Sequence, residues 1–422
     1  MTLAVLISAA VAVEPIRDAS TLGVVPEANL DRSAGYLALA PLSNVLDVLT
    51  LLGVRQHVAL LVWLIVLYVL MRLWRRRRAP RELGTGVIDP PGGPARVAMR
   101  EGAYAALFVL VVVATYAVAA LAPRPMAALA LTPADLYLSV DFHAHTRFSH
   151  DGRPGWEPSD VRAWHRAGGF DAAFISDHRT VEGAEQGIAD NPSQAGQGTV
   201  LLQAIELGWR GEHVNVIGAE RVYRGLTTAD RRDIDEQALA LASLLREREP
   251  VVIETIPGHP ERVVAATGPA TAGVRAIELV DGAPRGLDQS RLQRTRILRL
   301  ADSAGLALVA GSDNHGWGRT VPAWTLMRIP GWRGMSGDSL VFAIEHALRG
   351  GKGATRIVER RVAGEMNGPN IVELSLTLPL VLWRMLTTLS PDERVMWIVW
   401  ACGLAIVAQL AERWRLRRLG VA

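Results

Sequence analysis

Residues 141–152 read Asp141-Phe142-His143-Ala144-His145-Thr146-Arg147-Phe148-Ser149-His150-Asp151-Gly152, directly after the apolar run that starts at Tyr137. His143 and His145 stand at i and i+2, so at a strand end both side chains point to one face. Asp313 and His315 repeat that spacing after Leu306–Ala310. Between these two stretches, His178 follows Phe174–Ser176 and Glu206 closes Val200–Ile205. Of ten histidines in the chain, His143, His145, His178, His213, His259 and His315 sit at the polar ends of short apolar runs, in company with Asp151, Glu206 and Asp313. Neutral imidazole and carboxylate are the ligand set of hard-to-borderline divalent cations. A single His-x-His pair would be weak evidence, but a set of this size in this order is hard to explain as packing. It reads as one polynuclear site at one end of a sheet or barrel.

The surrounding pattern supports that placement. Apolar runs at Tyr137–Asp141, Ala172–Ser176, Val200–Leu207, Val214–Gly218, Val251–Thr255, Val274–Leu279, Leu306–Ala310 and Trp324–Ile329 predict strands. Helices are predicted over Pro158–Ala167, Thr228–Arg248 and Leu287–Ala304. Strands alternating with helices imply parallel βα units, hence an α/β barrel or a doubly wound sheet, where ligands gather at the carboxyl ends of the strands. Gly208 and Gly211 permit a reversal that would bring Glu206 and His213 together as a hairpin.

Outside this region the composition is that of a membrane protein. The hydrophobic fraction of 50% and mean hydropathy of +0.18 are high for a soluble enzyme, and the excess is local. Gly102–Ala122 is an uncharged run long enough to cross a bilayer. Val58–Met71 is a shorter run, extendable backward through Leu51, and Val395–Leu410 is a third candidate. Arg75 to Arg78 follow the first run, and Arg413, Arg415, Arg417 and Arg418 follow the last. Such clusters mark cytoplasmic helix ends, which accounts for the pI near 9.3 without a nucleic-acid partner. With these arginines inside, the histidine-rich region lies on the outer face. Ile371–Leu389 carries Glu373, Pro379 and Arg384, and reads as an interfacial helix rather than a span. Met1–Val13 is too short to span and is either a signal anchor or a buried helix; Glu14–Leu49 gives no chemical signal. The lone Cys402 lies in the last apolar run and excludes an internal disulfide framework.

The motifs together resemble the PHP (polymerase and histidinol phosphatase) family of metal-dependent phosphoesterases. The matching stretches are Asp141–Gly152, Ile175–Gly183, the Glu206 strand, His213–Gly218, Gly258–Pro260 and Gly311–His315, in family order and covering roughly 135–330. The resemblance implies a distorted (β/α)7 barrel, here flanked by N-terminal and C-terminal transmembrane helices. It also implies phosphoester hydrolysis at two or three divalent ions (zinc, manganese or iron), with His143, His145, Asp151, His178, Glu206, His213, His259, Asp313 and His315 as ligands. At the third of these positions His150 and Asp151 are both on offer, and Asp151 immediately precedes Gly152 as the family pattern has it.

The expected organisation is an apolar N-terminal segment and linker over 1–50, then two transmembrane helices joined by an Arg-rich cytoplasmic loop over 51–124. The phosphoesterase domain follows over 135–330, an amphipathic connector over 331–393, a last transmembrane helix over 394–411 and a basic tail over 412–422. Arg179 and Arg319, each beside a ligand motif, are candidates for charge on a phosphoryl group; a solvated charge or a carboxylate partner is the alternative for each. Asp141 and Asp177 are expected to orient ligand imidazoles, and His165 and His346 to lie on the surface. The expected partners are the membrane and a phosphoester small molecule or lipid headgroup. The expected location is a bacterial inner membrane with the domain on its periplasmic face. The competing reading is a metal-binding sensory or assembly module without turnover.

Overall fold

The structure, a computed structural model, describes residues 2–78, 93–209, 211–217, 250–255, 258–262, 274–360 and 370–418. The predicted helix Thr228–Arg248 lies outside the described residues. Twelve strands are described: β1 (Ile16–Asp18), β2 (Ala28–Arg32), β3 (Ala127–Leu131), β4 (Leu138–Ala144), β5 (Ala172–Ile175), β6 (Val200–Trp209), β7 (Glu212–Ile217), β8 (Val251–Thr255), β9 (Val274–Asp281), β10 (Ala307–Gly311), β11 (Ala323–Met327) and β12 (Thr355–Arg360). β2 and β3 form a separate ladder. The other ten make one mixed sheet in the order β1-β12-β11-β4-β5-β6-β7-β8-β9-β10.

The α/β reading of the sequence holds, but the sheet is not all-parallel. β4/β5, β5/β6, β8/β9 and β9/β10 pair in parallel, whereas β6/β7, β7/β8, β11/β4 and β11/β12 are antiparallel. The β6–β7 connection is a hairpin too short for a crossover, so only antiparallel pairing is open to it. The sheet curls until its last strand returns to β4. Asp313 N–H donates to the His143 carbonyl at 2.8 Å, Ala310 N–H to Thr325 Oγ1 at 2.8 Å, and Ala144 bridges Asn314. Leu138, Val140 and Phe142 of β4 pack with Phe174, Leu202, Ile253 and Val309 in one buried core. Leu340, Ile344 and Leu348 of the helix Gly337–Arg349 complete it.

Two stretches that carried no strand signal belong to this sheet. β1, within the 1–50 segment, pairs with β12, within the stretch expected to be a connector. Charge explains why both were hidden: β12 carries Arg356, which is paired with Asp18 at 2.8 Å and with Glu27, and Glu359, which meets Arg294 at 2.8 Å. No short apolar period marks a strand whose partners come from such distant positions.

Among the described residues, three helices are long and apolar enough to cross a membrane: Val54–Arg75, Ala95–Leu121 and Pro391–Arg418. Their apolar side chains are largely exposed, as a lipid-facing surface requires. Ile371–Thr387 is a shorter helix with Pro379 inside it. Proline lacks the N–H that would bond the carbonyl four residues back. That carbonyl, on Ser375, instead accepts from Trp63 Nε1 at 2.7 Å, which fastens the short helix to the Val54–Arg78 helix.

A buried polar cluster ties the helices to the sheet. The Asp47 carboxylate meets Arg360 at 2.8 Å, Tyr36 Oη and Thr320 Oγ1 at 2.9 Å each, and Arg124 at 3.2 Å.

Candidate metal centre

The centre forms where strand ends converge. β4 delivers His143 and, just beyond it, His145; β5 leads into His178; β6 carries Glu206; β7 carries His213; and β10 leads into Asp313 and His315. The β6–β7 register sets Gly208 opposite His213, and the expected reversal brings His213 Nδ1 to 2.6 Å from Glu206 Oε1, with Gly211 at φ +80° in the turn. Gly311 is required at the end of β10, because a Cβ there would lie 2.0 Å from Glu278 Oε1 and 2.4 Å from the His143 Cβ. Arg179 and Asp313 both take left-handed backbone, at φ +61° and +44°, as residues held by their surroundings at functional turns often do.

Glu206 is the hub. Its Oε2 lies 3.0 Å from His143 Nε2, 3.2 Å from His145 Nε2 and 3.5 Å from His178 Nε2. Asp313 Oδ1 lies 3.2 Å from His145 Nε2, 3.3 Å from His315 Nδ1 and 3.4 Å from His143 Nε2. Asp151 spans His315 Nε2 at 3.2 Å and His178 Nε2 at 3.5 Å, whereas His150 stands at the exposed rim, its ring 4.8 Å from that of His178. Ligands about 2.1 Å from one ion are separated by about 3.0 Å at octahedral angles and about 3.4 Å at tetrahedral ones. The separations found here are those of donors sharing cations. His145 strengthens the fit. It is fully buried, and neither ring nitrogen has a hydrogen-bond partner of acceptable direction, a costly state for an imidazole that holds no ion.

The electrostatics agree. Burial opposes the charge on Glu206, yet His143, together with the imidazoles of His145 and His213 close by, holds its carboxyl well below the usual range. Burial likewise acts against Asp313, which His143 and His145 bring down to about 2. His145 is pulled down by burial but pushed up to about 9 by Asp313 and Glu206. A proton therefore occupies His145 at neutral pH in the metal-free protein, and a cation must displace it. Apparent metal affinity should rise with pH through about 9, with proton release visible by titration calorimetry in buffers of different ionisation enthalpy. An affinity flat between pH 6 and 9 would contradict this. The same proton stabilises the metal-free fold fully below the ordinary value of 6.5, and that share is lost as pH rises through about 9.

Two acids were not singled out by the sequence. Glu278 Oε1 of β9 is 3.4 Å from His143 Nδ1, and Glu278 and Asp281 form a further donor group with His143. A buried Glu inside the apolar run Val274–Leu279 was the available signal. Burial first, then Asp313 and Glu278, push Asp281 well above its usual value.

Other expectations shift. His165 is buried rather than on the surface, and its Nε2 lies 2.7 Å from Asp141 Oδ2; that carboxylate also accepts from the N–H groups of His143 and Ser312. Asp141 thus braces the β4 end instead of orienting a ligand imidazole. Asp177 accepts from Thr146 N–H and Oγ1, both at 2.6 Å, and does the same for the loop after β4. His259 is exposed on a turn whose N–H donates to Glu212, and it belongs to no donor cluster among the described residues. Arg179 lies next to His178, its N–H donating to the Glu206 carbonyl and its buried Nη1 lacking a partner among the described residues. Arg319 points elsewhere: Nη2 donates to the Leu121 carbonyl at 3.3 Å, and the guanidinium sits 5.9 Å over Trp156.

No protein-family model matches the chain, and no curated protein matches it. Similar solved structures include PsfC from Pseudomonas syringae, at 17% identity over 59% of this chain and 98% of that one, with a TM-score of 0.38. A two-domain protein from Bacteroides vulgatus containing a predicted PHP-like metal-dependent phosphoesterase is 17% identical over 52% of this chain and 65% of its own, with a TM-score of 0.32. An amidohydrolase from Chromobacterium violaceum is 16% identical over 46% and 89%, with a TM-score of 0.29.

Proposed function

We propose that the chain is a membrane-anchored, metal-dependent phosphoesterase of PHP type, the curled sheet being its distorted (β/α)7 barrel. The observation that carries this reading is the convergence of His143, His145, Asp151, His178, Glu206, His213, Asp313 and His315 at metal-ligand separations, with Glu278 and Asp281 beside them. Two or three divalent ions of zinc, manganese or iron fit this donor set. When bound, they would supply a water acidified towards neutral pH and neutralise charge on the phosphoryl oxygens.

The protein's own part is to fix the donors and the substrate. Glu206 offers Oε2 to three histidines and Oε1 to a fourth, so one carboxylate joins two neighbouring binding positions. Arg179 brings a guanidinium nitrogen that has no partner among the described residues, suited to a phosphoryl oxygen. Arg179→Ala should lower kcat/KM by about 100-fold with metal content unchanged, and Arg179→Lys should recover part of it. Loss below threefold would remove Arg179 from substrate contact. Arg319 braces the domain against the Ala95–Leu121 helix in this reading.

The test uses the full-length protein in detergent, because the 135–330 segment lacks β12 and the Gly337–Arg349 helix that completes its core. Metal content and hydrolysis of phosphomonoesters and phosphodiesters are measured together. Metal-dependent turnover supports the enzyme; metal bound tightly with no turnover on any phosphoester or amide would favour the sensory module. We also read the domain as periplasmic. Arg319 donates to the Leu121 carbonyl, Asp288 pairs with Arg55, and Arg32 of β2 pairs with Glu393, all at the helix ends opposite Arg75–Arg78 and Arg413–Arg418. A cytoplasmic reporter signal from a fusion after Pro125 would overturn that orientation.

A further inference from the structure

We propose that the substrate is a lipid phosphoester of the membrane itself, its phosphate at the metal centre and its chain between the apolar helices; this rests on the phosphoesterase reading above. A cavity of about 420 Å³ has Asp151, Asp313 and His315 on one wall and Tyr116 and Ala120 of the Gly93–Leu121 helix on another. Leu49, Leu52 and Tyr116 line it too, and the same three side chains line a second cavity of about 310 Å³. The second runs between the apolar helices past Phe108 and Val381. One path thus leads from metal-ligating carboxylates to side chains within the bilayer. Phe108 precedes the helix end at Leu121 by 13 residues, about 20 Å at 1.5 Å per residue, against a hydrocarbon core about 30 Å thick.

The chemistry of the path changes along its length as an amphiphile does. At the metal end it offers carboxylates and imidazole; beyond Tyr116 it is lined by leucine, valine, phenylalanine and Met385, with Thr115 and Thr377 the polar exceptions. A soluble sugar phosphate or nucleotide would have no use for the apolar half. A chain already in the bilayer gains no hydrophobic free energy by entering a groove of equal apolarity. The groove's contribution is alignment: it holds the chain where the headgroup phosphate meets the metal centre, which raises effective concentration at the reacting bond.

The test uses the full-length, metal-loaded protein in mixed micelles of fixed composition. The probes are alkyl phosphates and p-nitrophenyl alkyl phosphates from methyl to dodecyl. The dodecyl ester should be hydrolysed with kcat/KM at least about tenfold above the methyl ester. Partitioning into micelles contributes equally in any variant, so the deciding measurement is the ratio in Leu52→Trp and Leu49→Trp, which line both cavities and narrow the passage between them. Each should cut the dodecyl-to-methyl ratio at least about fivefold at wild-type metal content; if one variant fails to load metal, the other decides. A ratio near one in the wild type, or one unmoved in the metal-loaded variants, would sink the lipid assignment and leave the phosphoesterase reading standing. Hydrolysis of no ester by the metal-loaded wild type would remove both.

Discussion

Glu206→Gln should cost at least about 1,000-fold in kcat and should release metal from the protein at neutral pH. Four histidine nitrogens lie within 2.6–3.5 Å of its two oxygens, so the carboxylate supplies the negative charge on which the whole donor set depends. Glutamine keeps the shape, which protects the fold, but it turns one oxygen into an NH2 donor aimed at imidazole lone pairs. Removing that charge also returns His143, His145 and His213 towards ordinary basicity, because Glu206 is among the groups raising all three. Elemental analysis and an ester assay on the same preparation read both effects. Full metal occupancy and near wild-type turnover in this variant would mean that Glu206 is a structural acid and the centre lies elsewhere.

The second large effect is expected away from the chemistry. Asp47→Ala should destabilise the protein by about 3–5 kcal/mol, the cost of stranding buried positive charge. Asp47 and Arg360 are both almost wholly buried, and Arg124 and Tyr36 lean on the same carboxylate. Burial disfavours the charge on Arg360, but Asp47 more than offsets this and raises its pKa further. Denaturant unfolding in detergent measures the loss. Arg360→Met in the Asp47→Ala background should recover part of it, since one of the two stranded guanidinium groups is then gone and only that of Arg124 remains. A loss under 1 kcal/mol would mean that water reaches the cluster and that the helices and sheet are held together by apolar packing alone.

Much of the donor cluster could be read from the chain because its side chains obey local rules. His143 and His145 share a face by strand geometry, Asp313 and His315 stand just past a strand end, and glycines fold Glu206 onto His213. The three long apolar helices were legible for the same reason: a continuous apolar run needs no partner to be recognised. Glu278 stayed hidden because a lone acid in an apolar strand looks like a local exception. His165 was misplaced because a histidine on an amphipathic helix reads as surface until Asp141 is found against it.

The amino-acid sequence by itself determined the α/β class, most of the donor set and the three long apolar helices, since each is written in a short repeating pattern of side chains. Tertiary structure alone decided the antiparallel pairing of β7 with β8 and of β11 with β4 and β12, the capture of β1 by β12, and the separation of Arg319 and His259 from the donor cluster. It also decided that the metal-side cavity meets the groove between the helices. These depend on contacts between residues tens to hundreds of positions apart. Buried charge pairs such as Arg360 with Asp47 fix them, and the chemistry of either partner alone does not name the other.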